Sequence, residues 1–159
     1  ACFGRLAKVA AETLGSDFSV TPGAGAAGGL GFGLMAFAGA TIESGFEVFA
    51  EATDLVTKID EADFVVTAEG AIDEQTLMGK GTGQVAALCR RLGKPCIGLS
   101  GQLALGKVEV DPVNRMYWRL AAIVPELATE QEAMASAATQ LERLAKREGN
   151  LIAGTDFSG

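Results

Sequence analysis

Three short runs rich in β-branched and apolar residues, Asp63-Phe-Val-Val-Thr67, Cys96-Ile-Gly-Leu-Ser100 and Arg119 to Val124, alternate with stretches of helical spacing. This alternation constrains the fold more than any other feature of the chain. A helix over 53–61 leads into the first run, residues 85–92 read as a helix, and Lys94-Pro95 introduces the second run. Pro125 ends the third, and 129–148 reads as one long helix with Thr129 as N-cap and Glu132 at the capping-box position. Strands separated by helices predict an α/β fold, a mostly parallel sheet covered by helices and joined by right-handed crossovers.

Upstream, Leu6, Val9, Ala10 and Leu14 mark a first helix over 2–14, closed by Gly15 and followed by a polar turn through Ser16-Asp17. Residues 23–33, GAGAAGGLGFG, carry six glycines, after which Leu34, Met35 and Phe37 continue at helical spacing to Gly39. A glycine-rich loop running into a helix is expected there. Residues 155–159 read as an untethered tail, which leaves 1–154 as the folded region.

The chain is 159 residues long, 48% hydrophobic, with 21 glycines and a mean hydropathy of +0.26. That much apolar surface supports a buried core and excludes disorder and collagen. There is no His, which removes Ser-His-Asp and Cys-His nucleophile schemes and His-ligated zinc or iron, so acid/base work falls to carboxylates, Lys or Tyr. Twenty acids against 13 basic residues give a net charge of −7, and the basic residues form no patch, so no nucleic-acid partner is expected. Ten of the acids, against the single base Lys58, lie between Glu43 and Glu74. Cys2, Cys89 and Cys96 lack CxxC spacing and read as small buried hydrophobes in a reducing, cytoplasmic setting. No apolar run reaches the ~18–20 residues of a membrane span.

Two motifs carry chemistry. Gly23-Ala-Gly25-Ala-Ala-Gly28 fits the letters GxGxxG, with Glu43 or Glu47 about 20 residues on, yet the preceding Asp17–Pro22 offers only Phe18 and Val20 as strand residues. Close helix packing through small residues and anion binding by exposed N–H groups both remain open for it. The second motif, Glu69-Gly-Ala-Ile-Asp73-Glu-Gln75-Thr76-Leu-Met-Gly79-Lys80-Gly-Thr82-Gly83, begins where the first strand ends. In open parallel sheets ligands bind at that edge, and the motif combines oxygen donors compatible with Mg²⁺ with a cation for phosphate. It is not a P-loop, because position 74 is Glu and Gly81 follows Lys80. A solvated turn is the plain alternative, against which Ile72, Leu77 and Met78 interleave with the polar residues. Ser100-Gly101-Gln102 lies beside this loop if the first two strands are neighbours. Tyr117 and Trp118 read as core or interface aromatics.

Pro22–Phe37, Asp63–Gly83, the later KPCIGLSG and PELATEQEAMASAATQLERLAK together resemble the bacterial glycerate kinase family over about residues 1–150. The resemblance implies part of a fold of two α/β domains sharing a cleft, and ATP- and Mg²⁺-dependent phosphoryl transfer to a hydroxyl of glycerate, a small organic acid. It implies site positions at Gly23, Gly25, Gly28 and Gly29 in the glycine-rich segment and at Glu69, Gly70, Asp73, Gln75, Thr76, Gly79 and Lys80 in the second loop. Within that loop Asp73 is the candidate for hydroxyl activation, with Glu69 or Asp73 for metal contact, Lys80 for stabilising phosphoryl or carboxylate charge, and Thr76 for a positioning hydrogen bond. The family's loop reads Gly-Glu-Gly-Arg-Ile-Asp where this chain has Ala68-Glu-Gly-Ala71-Ile-Asp73, so a planar guanidinium suited to carboxylate or phosphate is replaced by Ala71. The family's chains are over twice this length, so the resemblance implies that this chain corresponds to their carboxy-terminal portion, with a missing amino-terminal half or another copy in a homo-oligomer as the expected partner. A binding or regulatory domain that kept the fold without catalysis is the alternative function.

Overall fold

The structure, a computed structural model, describes residues 2–77, 81–104 and 116–155. The chain divides into two compact units, Ala1–Val48 and Phe49–Gly159. In the first unit, α1 (Cys2–Leu14) and α2 (Ala26–Ala38) share a small core of Ala7, Ala10, Ala24, Phe32 and Met35, with the Phe3 and Phe32 rings edge-to-face at 5.2 Å. The glycine-rich loop enters α2 as the sequence predicts. Ala27, Gly28 and Gly29 lie at φ 49, 70 and 97°, in the left-handed region, so the regular turns of α2 start only after them. Gly31 is also fixed by space, since a Cβ there would come within 2.5 Å of the Gly23 carbonyl oxygen. The α3 helix (Gly45–Ala52) spans the boundary between the units.

The second unit runs α4 (Leu55–Asp60), β1 (Val65–Asp73), α5 (Glu74–Leu77), α6 (Gly81–Arg91), β2 (Cys96–Ala104), β3 (Arg119–Val124), α7 (Glu130–Ala135) and α8 (Ala137–Ile152). Its three strands form a parallel sheet in the order β1-β2-β3, with Val65 opposite Cys96, Glu69 opposite Ser100 and Asp73 opposite Ala104. The predicted parallel α/β architecture is therefore present.

Side-chain alternation along β2 assigns the two faces. Ile97 and Leu99 pack with Ala121, Ile123 and Leu144 beneath α8, whereas Gly98 faces the Tyr117 ring, which a Cβ would meet at 3.0 Å. Cys96 shares that second face with Cys89 of α6, both buried as expected, and burial raises both thiols, Cys96 to about 12. Such thiols are inert packing groups.

Several boundaries differ from expectation, and the helix expected over 85–92 begins at Gly81. Helix 53–61 begins at Leu55, β1 and β2 run four to six residues further than the apolar runs, and the single helix 129–148 is broken at Ser136. Ser136 sits at φ −144°, ψ 45° and its hydroxyl bonds back to the Glu132 carbonyl at 2.9 Å, a local bond that competes with helix continuation. The Thr129–Glu132 capping box forms as predicted. Glu148 of α8 is buried and receives Arg119 Nε at 2.7 Å and Arg147 Nε at 2.8 Å, tying α8 to β3. No helix of the described residues is long and apolar enough to cross a membrane.

Candidate functional site

The first difference from the sequence reading concerns the acids themselves. Glu69, Gly70 and Asp73 belong to β1 rather than to a loop after it, because pairing with β2 continues from Glu69↔Ser100 to Asp73↔Ala104. They still lie toward the carboxyl end of a parallel strand, where the chain turns into α5. Gly101 makes the close pairing possible, since a Cβ there would lie 2.6 Å from the Gly70 carbonyl oxygen.

Thr76 organises this end of the sheet. It is fully buried, its hydroxyl donates to Glu69 Oε1 at 2.8 Å, and its oxygen accepts the Asp73 N–H at 3.3 Å. In return the Thr76 N–H donates to Asp73 Oδ1 at 3.2 Å. These reciprocal bonds fix the strand-to-helix turn and hold both carboxylates in a defined direction, with Asp73 half-buried. The Thr82 hydroxyl, in the first turn of α6, makes a second hydrogen bond to Glu69 Oε1. Gly83 allows α6 this approach: a Cβ would stand 1.9 Å from the Thr76 carbonyl oxygen.

Sequence reasoning assigned no role to Thr82. Its signal was present, a hydroxyl between two glycines at a helix start, 13 residues beyond the carboxylate it binds. Tyr117 is buried, as a core aromatic should be, but its hydroxyl reaches the same cluster. Burial pushes this phenol up to about 12, with the nearby Thr82 hydroxyl favouring the ionised form and the Glu69 charge opposing it. The hydroxyls of Ser100 and Tyr117 are buried and make no hydrogen bond to the described residues. Ser100 does lie beside Glu69, as expected for neighbouring strands.

Of the other predicted positions, Gln75 lies in α5, and Gly79 and Lys80 lie outside the described residues. Gly23, Gly25, Gly28 and Gly29 belong to the first compact unit, where Gly23, Gly28 and Gly29 have positive φ. The described residues contain no cluster of three acidic, Cys or His side chains of metal-binding geometry.

Comparison with known proteins matches residues 1–153 to the model of the Glycerate kinase family. The chain belongs to the glycerate kinase family. It is 37% identical over 144 residues to the glycerate kinase of Halalkalibacterium halodurans, covering 89% of this chain and 37% of that protein. Over 121 residues it is 38% identical to the glycerate 2-kinase of Escherichia coli K12, 75% of this chain and 32% of the relative. A crystal structure assigned as glycerate kinase 2 from Salmonella typhimurium LT2 superposes with a TM-score of 0.57 at 28% identity, covering 93% of this chain and 38% of that one. The chain thus spans about two fifths of the length of the curated glycerate kinases it matches.

Proposed function

We propose that this chain supplies the carboxylate side of a site that transfers a phosphoryl group from ATP to a hydroxyl of glycerate. The observation that carries the reading is the gathering of Glu69, Asp73 and Thr76 at the carboxyl edge of a parallel sheet, in a chain of the glycerate kinase family. In this reading Asp73 accepts the proton of the attacking hydroxyl, its carboxylate aimed by the Thr76 N–H. Glu69, bonded by two threonine hydroxyls, braces the turn on which Asp73 sits. Lys80 is assigned the stabilisation of phosphoryl charge on the resemblance alone, and Gly23, Gly25, Gly28 and Gly29 the donation of backbone N–H groups to an anion.

Mg²⁺ commonly takes one or two protein carboxylates and completes its shell with phosphate oxygens and water. Glu69, whose Oε1 accepts two hydroxyls, and Asp73, whose Oδ1 accepts the Thr76 N–H, are the candidate carboxylates for the ion. When bound it would supply positive charge to the transferring phosphoryl group. The test is transfer of label from γ-labelled ATP to glycerate by the chain joined to the rest of the family's length. Labelled phosphoglycerate is the expected product, and label released only as inorganic phosphate, or not at all, overturns the reading.

One observation favours a second reading, a binding domain without catalysis. Ala71 stands exposed on β1, opposite Gln102, where the family's loop has Arg, so the guanidinium fork is absent. Calorimetry separates the two: heat on adding ATP-Mg²⁺ or glycerate, without label transfer, supports the binding domain.

A further inference from the structure

Gly98 stands inside β2, where a residue without a side chain weakens the strand and commonly marks a place that another group must approach closely. The group is the Tyr117 ring, whose Cδ1 and Cε1 atoms lie 3.0 Å from the position of a Gly98 Cβ. The Trp118 N–H anchors this segment on the Cys96 carbonyl oxygen at 2.8 Å, and the small buried side chains of Cys89 and Cys96 leave room for the ring. Phe would fill the same space. The chain instead buries a phenol, and its hydroxyl makes no hydrogen bond to the described residues.

The surroundings of that hydroxyl show what it can serve. Gly98, Ser100 and, across the register, Glu69 share one face of the sheet. Thr82 meets this face from the first turn of α6 and gives its proton to Glu69 Oε1. A threonine hydroxyl has one proton, so Thr82 can act toward Tyr117 only as an acceptor. The Thr82 hydroxyl and the Glu69 charge both act on the phenol, although phenol and Thr82 do not meet at hydrogen-bonding geometry. Leaving a buried donor unpaired is costly, and a hydroxyl oxygen beside it is the partner that removes the cost.

We propose that Tyr117 is a positioning residue for the carboxyl end of β1: its phenol donates to the Thr82 oxygen and so keeps the Thr82 proton on Glu69. From Tyr117 to Thr82 to Glu69 every proton points toward the carboxylate, and each bond polarises the next. Glu69 in turn receives the Thr76 hydroxyl, and the Thr76 N–H holds Asp73. Without the phenol the Thr82 hydroxyl is free to turn its proton elsewhere, Glu69 retains one of its two threonine donors, and the β1–α5 turn loses part of its bracing. A misplacement of about 1 Å can cost on the order of 100-fold in rate, so a partial loosening of this turn should cost about 10-fold. The kinetic consequence rests on the proposed reaction, whereas the hydrogen bond does not depend on turnover.

Tyr117 is the chain's single tyrosine, so the Raman tyrosine doublet, whose intensity ratio reports whether a phenol donates a hydrogen bond, reads this residue alone. The chain is expected to show a donating phenol, and Thr82→Val a phenol that donates to nothing. In the chain joined to the rest of the family's length, Tyr117→Phe should lower kcat about 10-fold with KM for glycerate little changed and Tm not lowered, because Phe keeps the ring against Gly98. Thr82→Val should lower kcat to a similar extent and Thr82→Ser should retain it. Combining Tyr117→Phe with Thr82→Val should slow turnover by no more than about 2-fold beyond the slower single variant. A phenol that donates to nothing in the parent chain, a doublet that Thr82→Val leaves unchanged, a parental kcat in Tyr117→Phe, or additive losses in the double variant overturns the inference. Absence of turnover from the joined parent overturns the proposed reaction instead, and the Raman spectrum of the chain then decides the hydrogen bond.

Discussion

Thr76 shows how one side chain links fold to site. Its hydroxyl and its N–H are both committed, one to Glu69 and one to Asp73, so it cannot be replaced by an isostere lacking the oxygen. Thr76→Val is expected to destabilise the chain by about 1–3 kcal/mol, the cost of leaving buried polar partners unpaired, and Thr76→Ser to recover most of that loss. Urea denaturation of the three proteins measures it, and equal stability of the Val and Thr forms contradicts the assigned role. The same turn depends on Gly83, where even the smallest side chain collides with the Thr76 carbonyl. Gly83→Ala is expected to cost at least as much as overpacking usually does, about 1–3 kcal/mol, read as a lowered Tm. At this scale the sequence names candidate residues but not how they connect. Glu69, Asp73 and Thr76 stood out by their types and spacing, whereas Thr82 joins them through a bond to Glu69 that only the packed sheet creates.

Among the elements, α8 is held to β3 by a buried carboxylate. Burial raises the Glu148 carboxyl, but the hydrogen bonds from Arg119 and Arg147 outweigh it and hold the group below its ordinary value of 4.5. A carboxyl depressed on folding contributes stability that is complete above its unfolded pKa and disappears as pH falls through the folded one. Stability should therefore decline below about pH 4.5, and part of that decline should vanish in Glu148→Gln. At neutral pH this variant is expected to lose about 1–3 kcal/mol, since charge-assisted bonds are replaced by weaker ones while Arg119 stays partly solvated. A Glu148→Gln variant that keeps the parent's full acid lability contradicts the attribution. The capping box gives a smaller and separate effect: Thr129→Ala should cost about 1 kcal/mol, read by the same denaturation, because the Glu132 N–H loses the Thr129 hydroxyl while the Thr129 N–H keeps its bond to Glu132 Oε2.

Element boundaries were less legible than element types for identifiable reasons. Glu69-Gly70-Ala71 has little strand propensity of its own and extends β1 because β2 offers register partners as far as Ala104. Ser136 breaks the predicted 129–148 helix through a hydroxyl bond that periodicity does not register. The GxGxxG lettering at Gly23–Gly28 precedes a helix without a strand before it, and the left-handed φ of Gly23 and Gly28 at the entry to α2 is a backbone requirement that neither the close-packing nor the anion-binding reading of these glycines had named.

For the whole molecule, length is the governing fact. The parallel order β1-β2-β3 was foreseeable from alternating strands and helices, but the exposed face of β1 was not, because an apolar run looks the same in sequence whether or not a neighbour covers it. The proposed reaction is therefore a property of the family's full length, of which this chain spans about two fifths. The most direct test is the glycerate-dependent ADP formation of the chain joined to the part of the Halalkalibacterium halodurans glycerate kinase outside the matched 144 residues, compared with the same assembly carrying Asp73→Asn. Asn keeps an oxygen for the Thr76 N–H, so the fold of the turn is retained while proton acceptance is lost. The account predicts turnover in the assembled protein and a fall in kcat of at least about 100-fold in the variant, with KM for glycerate little changed. An assembly without turnover, or one in which Asp73→Asn leaves kcat unchanged, contradicts it.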